Sequence, residues 1–307
     1  MRLHMIDLPP LGENIIGTNL ADVFTANDGD DTIAGRGGDD IISGSGGIDL
    51  IFGGAGANSL YGGDGNDLIF GGGSAAVILA GTGNDAVFGS IGNDALNGED
   101  GNDLIYGRAG DDSITDLVGN NTLYGGDGND IIQAGTGAAL ILGGAGIDTL
   151  LGGTGNETLN GGADADFLQG GSGLSGPSGA DWLRGGAGND LLVAEGLDDR
   201  MTGGSGADMF IFWAGALNDT GDGSGRIVIT DFAASEDLIG LQAPVDTTAQ
   251  GSYDYFMADA HQRGANVVYI HDGIGARIVF HDLTLTDLSL ANFLDVSTGF
   301  DIYIPTL

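Results

Sequence analysis

Apolar side chains recur every nine residues along most of this chain. From Phe24 the interval places Ile33, Ile42, Ile51, Leu60, Ile69, Ile78, Val87, Leu96, Ile105, Ile114, Leu123, Ile132, Ile141, Leu150, Leu159 and Leu168. Six extra residues, LSGPSG at 174–179, interrupt it, and it resumes at Leu183, Leu192, Met201 and Phe210. A second periodicity runs two residues ahead of the first. Its positions are Asp22, Asp31, Asp40, Asp49, Asp67, Asp85, Asp94, Asp103, Asp112, Asp130, Asp148, Asp166, Asp181, Asp190, Asp199 and Asp208, with five exceptions: Asn58, Ala76, Asn121, Ala139 and Glu157. The apolar position survives at all 21 places, including those where the carboxylate is lost. Two separable roles follow: the apolar residue holds the fold, and the acid does something else.

The clearest unit is GGDGNDLIF at 62–70, or Gly-Gly-x-Gly-x-Asp-x-U-x with U apolar. It predicts a Gly-rich turn followed by a strand of about three residues, with U inward and its neighbours outward, because side chains alternate along a strand. So short a strand buries nothing alone, whereas stacked strands share a continuous core. Two nonapeptides make one turn of the coil, so each side repeats every 18 residues. The expected fold is all-β, a two-sheet parallel roll over residues 1–212. Beyond Phe212 the nine-residue interval stops and strand-like text follows: GRIVITDF (225–232), DLIGL (237–241), ANVVYI (265–270), ARIVFHDL (276–283), SLANFLDV and FDIYIPTL. Residues 213–307 are expected to form a small β cap, since a solenoid needs its end covered.

Composition sharpens this. The 307 residues include 62 Gly and no Cys, and carry a formal charge of −36 with arginine as the cation. Ordering so many glycines is costly, and the charge repels itself, so cations are the expected counterpart. A nucleic-acid partner has the wrong sign. No stretch is apolar enough to span a membrane. MRLHMIDLPPLGEN, at the start, lacks an apolar signal core, so export by a classical signal peptide is not expected. Without cysteine there is no disulfide, thiolate metal site or cysteine nucleophile.

The nonapeptides resemble the repeats-in-toxin (RTX) family of hemolysin-type calcium-binding proteins. The resemblance covers about residues 12–212 and implies a right-handed parallel β-roll with Ca²⁺ between neighbouring turns. It also implies that each Asp bridges ions above and below it on its own side. The donor chemistry agrees, because carboxylates and backbone carbonyls are hard oxygen ligands that suit Ca²⁺. Splitting the Asp positions by side gives one row of Asp22, Asp40, Asn58, Ala76, Asp94, Asp112, Asp130, Asp148 and Asp166, and another of Asp31, Asp49, Asp67, Asp85, Asp103, Asn121, Ala139 and Glu157. The rows are expected to break near 58–76 and near 121–157, leaving roughly nine to twelve calcium ions. The gaps read either as drift tolerated by the core or as a calcium-free partner surface.

One outward column carries Phe52, Phe70, Phe88, Tyr106, Tyr124 and Leu142, next to Leu50, Leu68, Ala86, Leu104, Thr122 and Leu140. The corresponding column of the other sheet, Ser43, Tyr61, Leu79, Asn97, Thr115 and Gln133, is mostly polar. The aromatic column reads as rings stacked on one another. It also reads as an interaction surface, for a second copy, the C-terminal segment or a polysaccharide.

ITDFAASEDLIGL resembles the segment that follows the roll in serralysin-type proteases, through Asp231, Phe232, Asp237, Ile239 and Leu241, with Gly240 in place of the usual acid. That resemblance implies a cap containing a type I secretion signal. The rest of a protease is missing: no HExxH zinc helix is present, and His4, His261, His271 and His281 form no triad or zinc set. Asp219 and Asp222 read as a polar loop or one more calcium site. No catalytic residue is expected. The chain reads as a secreted, extracellular calcium-binding protein that folds on binding many ions, with an adhesive, surface-layer or glycan-binding module as the alternative.

Overall fold

The structure, a computed structural model, describes residues 12–171, 179–196, 198–213, 226–242, 260–263, 266–270, 277–284 and 286–292. Residues 174–178 of the expected insertion lie outside these, as do His4, His271, Asp219, Asp222, the side chain of His261 and the final FDIYIPTL. The chain divides into two units, Met1–Thr136 and Gly137–Leu307.

In the first unit one sheet sets Asn14–Ile16, Thr32–Ala34, Leu50–Phe52, Leu68–Phe70, Ala86–Phe88, Leu104–Ala109 and Thr122–Asp127 side by side, all parallel. The other sets Val23–Thr25, Ile41–Gly46, Asn58–Asp64, Ala76–Thr82, Ala95–Asp100, Ser113–Val118 and Ile131–Thr136 in the same way. Consecutive strands of the chain alternate between the sheets, and each residue faces its equivalent 18 positions on, as Ile51 faces Ile69. Several strands reach six or seven residues, longer than expected, because pairing continues through the glycines, as in Asn58–Asp64.

The second unit repeats the plan. Leu140–Ala145, Thr158–Ala163, Trp182–Ala187, Arg200–Ser205, Arg226–Ile229 and Arg277–Phe280 form one parallel run. Thr149–Gly153, Phe167–Gly171, Leu191–Ala194, Met209–Trp213 and Leu238–Gln242 form the other. Leu159 faces Leu183 and Leu168 faces Leu192, a step of 24 residues that absorbs the six-residue insertion without a slip in register. Register has to be kept, since a one-residue slip would turn every core side chain outward.

The apolar position of every nonapeptide is buried, from Ile33 to Phe210, apart from the half-buried Phe24. Each buried Ile or Leu contributes about 1.5–3 kcal/mol. The next inward position, two residues on, holds small residues such as Gly44, Gly62, Ala80 and Ala134, with Asp116 and the buried Phe212 the exceptions. The turns depend on left-handed backbone. Gly65 has φ 135°, and a Cβ there would stand 1.6 Å from the carbonyl oxygen of Gly47. Arg36, Ser45, Glu99 and Arg108 hold φ between 71° and 87° where the consensus has its second glycine, a strain of about 1–2 kcal/mol each.

Past Phe212 the two sheets of this unit do not stop. Arg226–Ile229 and Leu238–Gln242 extend them in parallel, and among the described residues only Asn266–Ile270 and Ala260–Arg263 turn antiparallel. Phe232 packs against Phe210 at 6.0 Å and edge-on to Phe280 at 5.3 Å, so aromatic rings fill the core here. The buried Asn292 brackets the segment, donating from Nδ2 to the carbonyls of Ala234 at 2.9 Å and Asp237 at 3.2 Å.

Candidate metal centre

Each Asp of the repeat sits at the end of a turn, just before its strand. Its Oδ1 accepts the backbone N–H of the equivalent residue one turn earlier. Asp31 donates to Asp49, Asp49 to Asp67, Asp67 to Asp85, and Asp85 to Asp103, at 2.7 to 2.8 Å. In the second unit Asp148 donates to Asp166, and Asp166 to Asp190 across the insertion, both at 2.8 Å. The Asp carbonyl in turn accepts an N–H from the following turn, as Asp49 does from Leu68 at 2.8 Å. The carboxylates are therefore fixed by the fold and lie in file.

The second oxygen has no such partner. Oδ2 of Asp31, Asp40, Asp49, Asp67, Asp85, Asp103, Asp112, Asp166, Asp181 and Asp190 is buried without a hydrogen bond. Where the first residue of the nonapeptide is glycine, as at Gly35, Gly44, Gly62 and Gly107, it lies over that glycine. A Cβ built at Gly44, Gly62 or Gly107 would be 2.0 to 2.4 Å from Oδ2 of Asp49, Asp67 or Asp112. The same point is 2.3 to 2.7 Å from a carbonyl oxygen one turn on, that of Gly62, Ala80 or Gly125 respectively. Two acceptors thus converge with no donor between them, which is unfavourable in a buried place unless a cation joins them. A Cβ on the consensus glycine would enter that space, although Ala26 and Ala80 hold the same place ahead of Asp31 and Asp85. No three Asp, Glu or His side chains converge among the described residues, so the remaining ligands would come from backbone carbonyls.

The electrostatics agree. Burial, reinforced by neighbouring carboxylates, raises the carboxyls of Asp49 and Asp208 to about 6 and those of Asp85, Asp112 and Asp166 to about 7. Burial thus disfavours the bare carboxylate, which a proton or a cation beside it relieves.

The exceptional positions differ among themselves. Asn58 keeps the Oδ1 contact, accepting the Asp40 N–H at 3.0 Å, and its Nδ2 donates to the Gly71 carbonyl at 3.1 Å. An amide hydrogen stands there in place of a cation. Ala76 offers only its backbone, and Asp94, next in that row, is held by the N–H of Ser90 at 2.5 Å and its hydroxyl at 2.7 Å. Asp22 is likewise held by Thr18, and Asp199 by the Gly196 N–H at 3.1 Å. These three acids are on the metal-facing rows but are already satisfied. Glu157 is buried with neither oxygen hydrogen-bonded, and burial followed by the adjacent Asp181 raises it to about 8.

Three sets of residues escape the sixth-position pattern. Asp237 continues a row inside the C-terminal segment, its Oδ1 accepting the Asp208 N–H at 3.0 Å. Where the residue before the sixth position is Asn or Asp, it forms an outer ladder of opposite sense: Asn66 accepts from Asn84, and Asn84 from Asn102, at 2.7 and 2.8 Å. The recurrent Asn in that place was its signal. Asp116 lies inside the coil beside Asp103, and burial, then the Asp103 charge, raises it to about 8.

The aromatic column is a stack. Phe52, Phe70, Phe88, Tyr106 and Tyr124 follow one another at 4.4 to 5.2 Å with planes within 11°. Phe52, at its end, is 39 % exposed, and the others are half-buried.

The RTX calcium-binding nonapeptide repeat, taken four copies at a time, matches residues 16–51, 43–78, 79–114, 106–141, 115–150, 142–173 and 175–210. No curated protein matches the chain. Among solved structures, the extracellular lipase LipA from Serratia marcescens is similar, at 19 % identity over 72 % of this chain, with a TM-score of 0.25. The match spans 40 % of the lipase chain. With its nonapeptides matched from residue 16 to residue 210 and its carboxylates in file along two-sheet coils, the chain belongs to the RTX family of calcium-binding repeat proteins.

Proposed function

We propose that this chain is a secreted calcium-binding protein whose coil forms when calcium fills its rows, and that it has no catalytic activity. The observation that carries the reading is the file of buried Oδ2 atoms, those of Asp40, Asp49, Asp67, Asp112 and Asp190 facing a carbonyl with no donor between them. Without cations these acids repel one another and must be desolvated. With them, binding and folding become one event. Intracellular calcium is scarce, so the chain stays loose there, which suits export. Extracellular calcium, near millimolar, fills sites of the weak extracellular class.

Export by a type I route rests on the serralysin-like text around Asp231 and Asp237. RTX proteins are generally secreted, which agrees with this. The row of Asn58, Ala76 and Asp94 binds no ion at the first two positions, since the amide of Asn58 already occupies the carbonyl of Gly71.

The test is size-exclusion chromatography with light scattering, in chelator and then in millimolar calcium. An expanded chain in chelator that becomes compact in calcium supports the reading. A compact chain in both removes the coupling of folding to calcium, and with it the export argument.

A second reading, an adhesive module, draws on the flat run of rings from Phe52 to Tyr124. Retention on polysaccharide that is lost in the Phe70→Ala/Tyr106→Ala variant would favour it.

A further inference from the structure

The nonapeptide at 116–124 reads Asp-Leu-Val-Gly-Asn-Asn-Thr-Leu-Tyr. It lacks the acid of the sixth position, which is Asn121, and has an acid at the first position, where the consensus has glycine. In its sheet the equivalent residues are Gly44, Gly62, Ala80, Gly98 and Ala134, all small and facing inward. A carboxylate there has nowhere to go but the interior.

Asp116 has no exposed surface, and neither of its oxygens has a hydrogen-bond partner. Oδ2 of Asp103 is also buried and without one. Both side chains aim at one place. A Cβ on Gly98 would be 2.4 Å from Oδ2 of Asp116 and 2.5 Å from Oδ2 of Asp103. At Gly44, Gly62, Gly89 and Gly107 that place is shared by an Asp Oδ2 and a carbonyl of the next turn. At Gly98 the Asp116 carboxylate takes the carbonyl's part. Asn121 keeps only the structural contact, accepting the Asp103 N–H at 3.0 Å. Its Nδ2 lies 3.4 Å from the carbonyls of Asp116 and Val118, a weaker arrangement than the Nδ2 of Asn58 makes.

We propose that Asp116 is a calcium ligand, displaced from the sixth to the first position of its nonapeptide, which with Asp103 holds an ion between the loops 98–103 and 116–121. The row is therefore occupied one step further than its sixth positions indicate. Two carboxylates on one hard cation suit Ca²⁺, which takes oxygen ligands in flexible geometry. The inference rests on the calcium reading above and adds a ligand that the repeat consensus does not contain.

The test is the number of calcium ions bound per full chain, by native mass spectrometry and equilibrium dialysis in millimolar calcium. Asp116→Asn and Asp116→Ala should each bind one ion fewer than the parent. The double variant Asp116→Gly/Asn121→Asp, which rebuilds the consensus nonapeptide, should bind as many as the parent. A parental count in both single variants would overturn the proposal and leave Asp103 and Asp116 sharing a proton. Loss of several ions that the double variant fails to restore would also overturn it, making Asp116 a packing residue. A parent chain that binds no calcium at all would instead sink the calcium reading itself.

Discussion

The backbone N–H of Asp49 donates to Oδ1 of Asp67 at 2.8 Å, while Oδ2 of the same Asp67 is buried with no hydrogen bond. One carboxylate thus serves two ends. Its first oxygen joins adjacent turns. Its second can be satisfied only by something brought from outside. Calcium dependence and coil geometry are consequently written into different atoms of one side chain.

Asp67→Asn should separate them. Asn58 shows that an amide keeps the Oδ1 contact and uses Nδ2 to occupy a carbonyl. The variant should fold in calcium with fewer ions bound and need less calcium to do so. Ile69→Ala, two residues on, should do the reverse, keeping the ions while costing about 2–5 kcal/mol of stability. Denaturant unfolding in saturating calcium, paired with ion counts, measures both. Equal ion loss in the two variants would contradict the separation.

Gly62→Ala probes the cradle. The new Cβ would be 2.4 Å from Oδ2 of Asp67 and 2.3 Å from the carbonyl oxygen of Ala80. The carboxylate has to move, so the expected result is loss of the local ion and about 1–3 kcal/mol of calcium-dependent stability. Gly73→Ala is the control, because its nearest neighbour would be 3.7 Å away. Calcium-dependent thermal unfolding of the two variants checks this, and indistinguishable curves would count against the cradle.

The pH dependence has a definite sign. Asp49, Asp130 and Asp208 are raised from 3.8 to about 6, and Asp85, Asp112 and Asp166 to about 7, chiefly by burial. A carboxyl with a raised pKa opposes folding once it ionises, so the calcium-free coil loses stability as pH rises from about 4 through 7. Calcium competes with those protons. The calcium midpoint for folding should therefore lie higher at pH 5.5 than at pH 7.5, as read by circular dichroism. A midpoint that does not move between the two would refute it.

The coil was legible in the sequence because stacking forces register. Once Ile51 faces Ile69, every other residue meets its own equivalent 18 positions on, and periodicity alone assigns inside and outside. The carboxylate rows followed from the same rule. What escaped lay off the period. Asp116 is out of phase with the other acids, although the burial of its column could have been read from the glycines and alanines around it. Ser90 is an ordinary turn residue until its N–H and hydroxyl are seen on Asp94. Asp237 joins its row at a spacing of 29 residues from Asp208, which no regular interval reveals. The outer ladder of Asn66, Asn84 and Asn102 was periodic, but a neutral amide carries no charge that would mark it as a site.

The ring stack yields the last prediction. Phe88 lies between Phe70 at 5.0 Å and Tyr106 at 5.2 Å, and the Arg108 guanidinium sits 5.6 Å from its centroid. Each stacked pair contributes about 0.5–1.5 kcal/mol beyond area burial, so Phe88→Ala removes two pairs and a cation–π contact together. The backbone beneath is secured by the Ala86–Phe88 pairing to both neighbours, so the coil should survive with stability lowered by roughly 1–3 kcal/mol. Phe52→Ala, at the end of the stack, should cost less, since it removes one pair from an already exposed ring. The number of ions bound at saturating calcium should be unchanged in both, because the rings point away from the carboxylate rows, while the calcium needed to fold rises with the lost stability. If instead Phe52→Ala is the costlier change and also abolishes self-association in calcium, the column is an interface whose exposed end does the binding, and the stack is secondary to it.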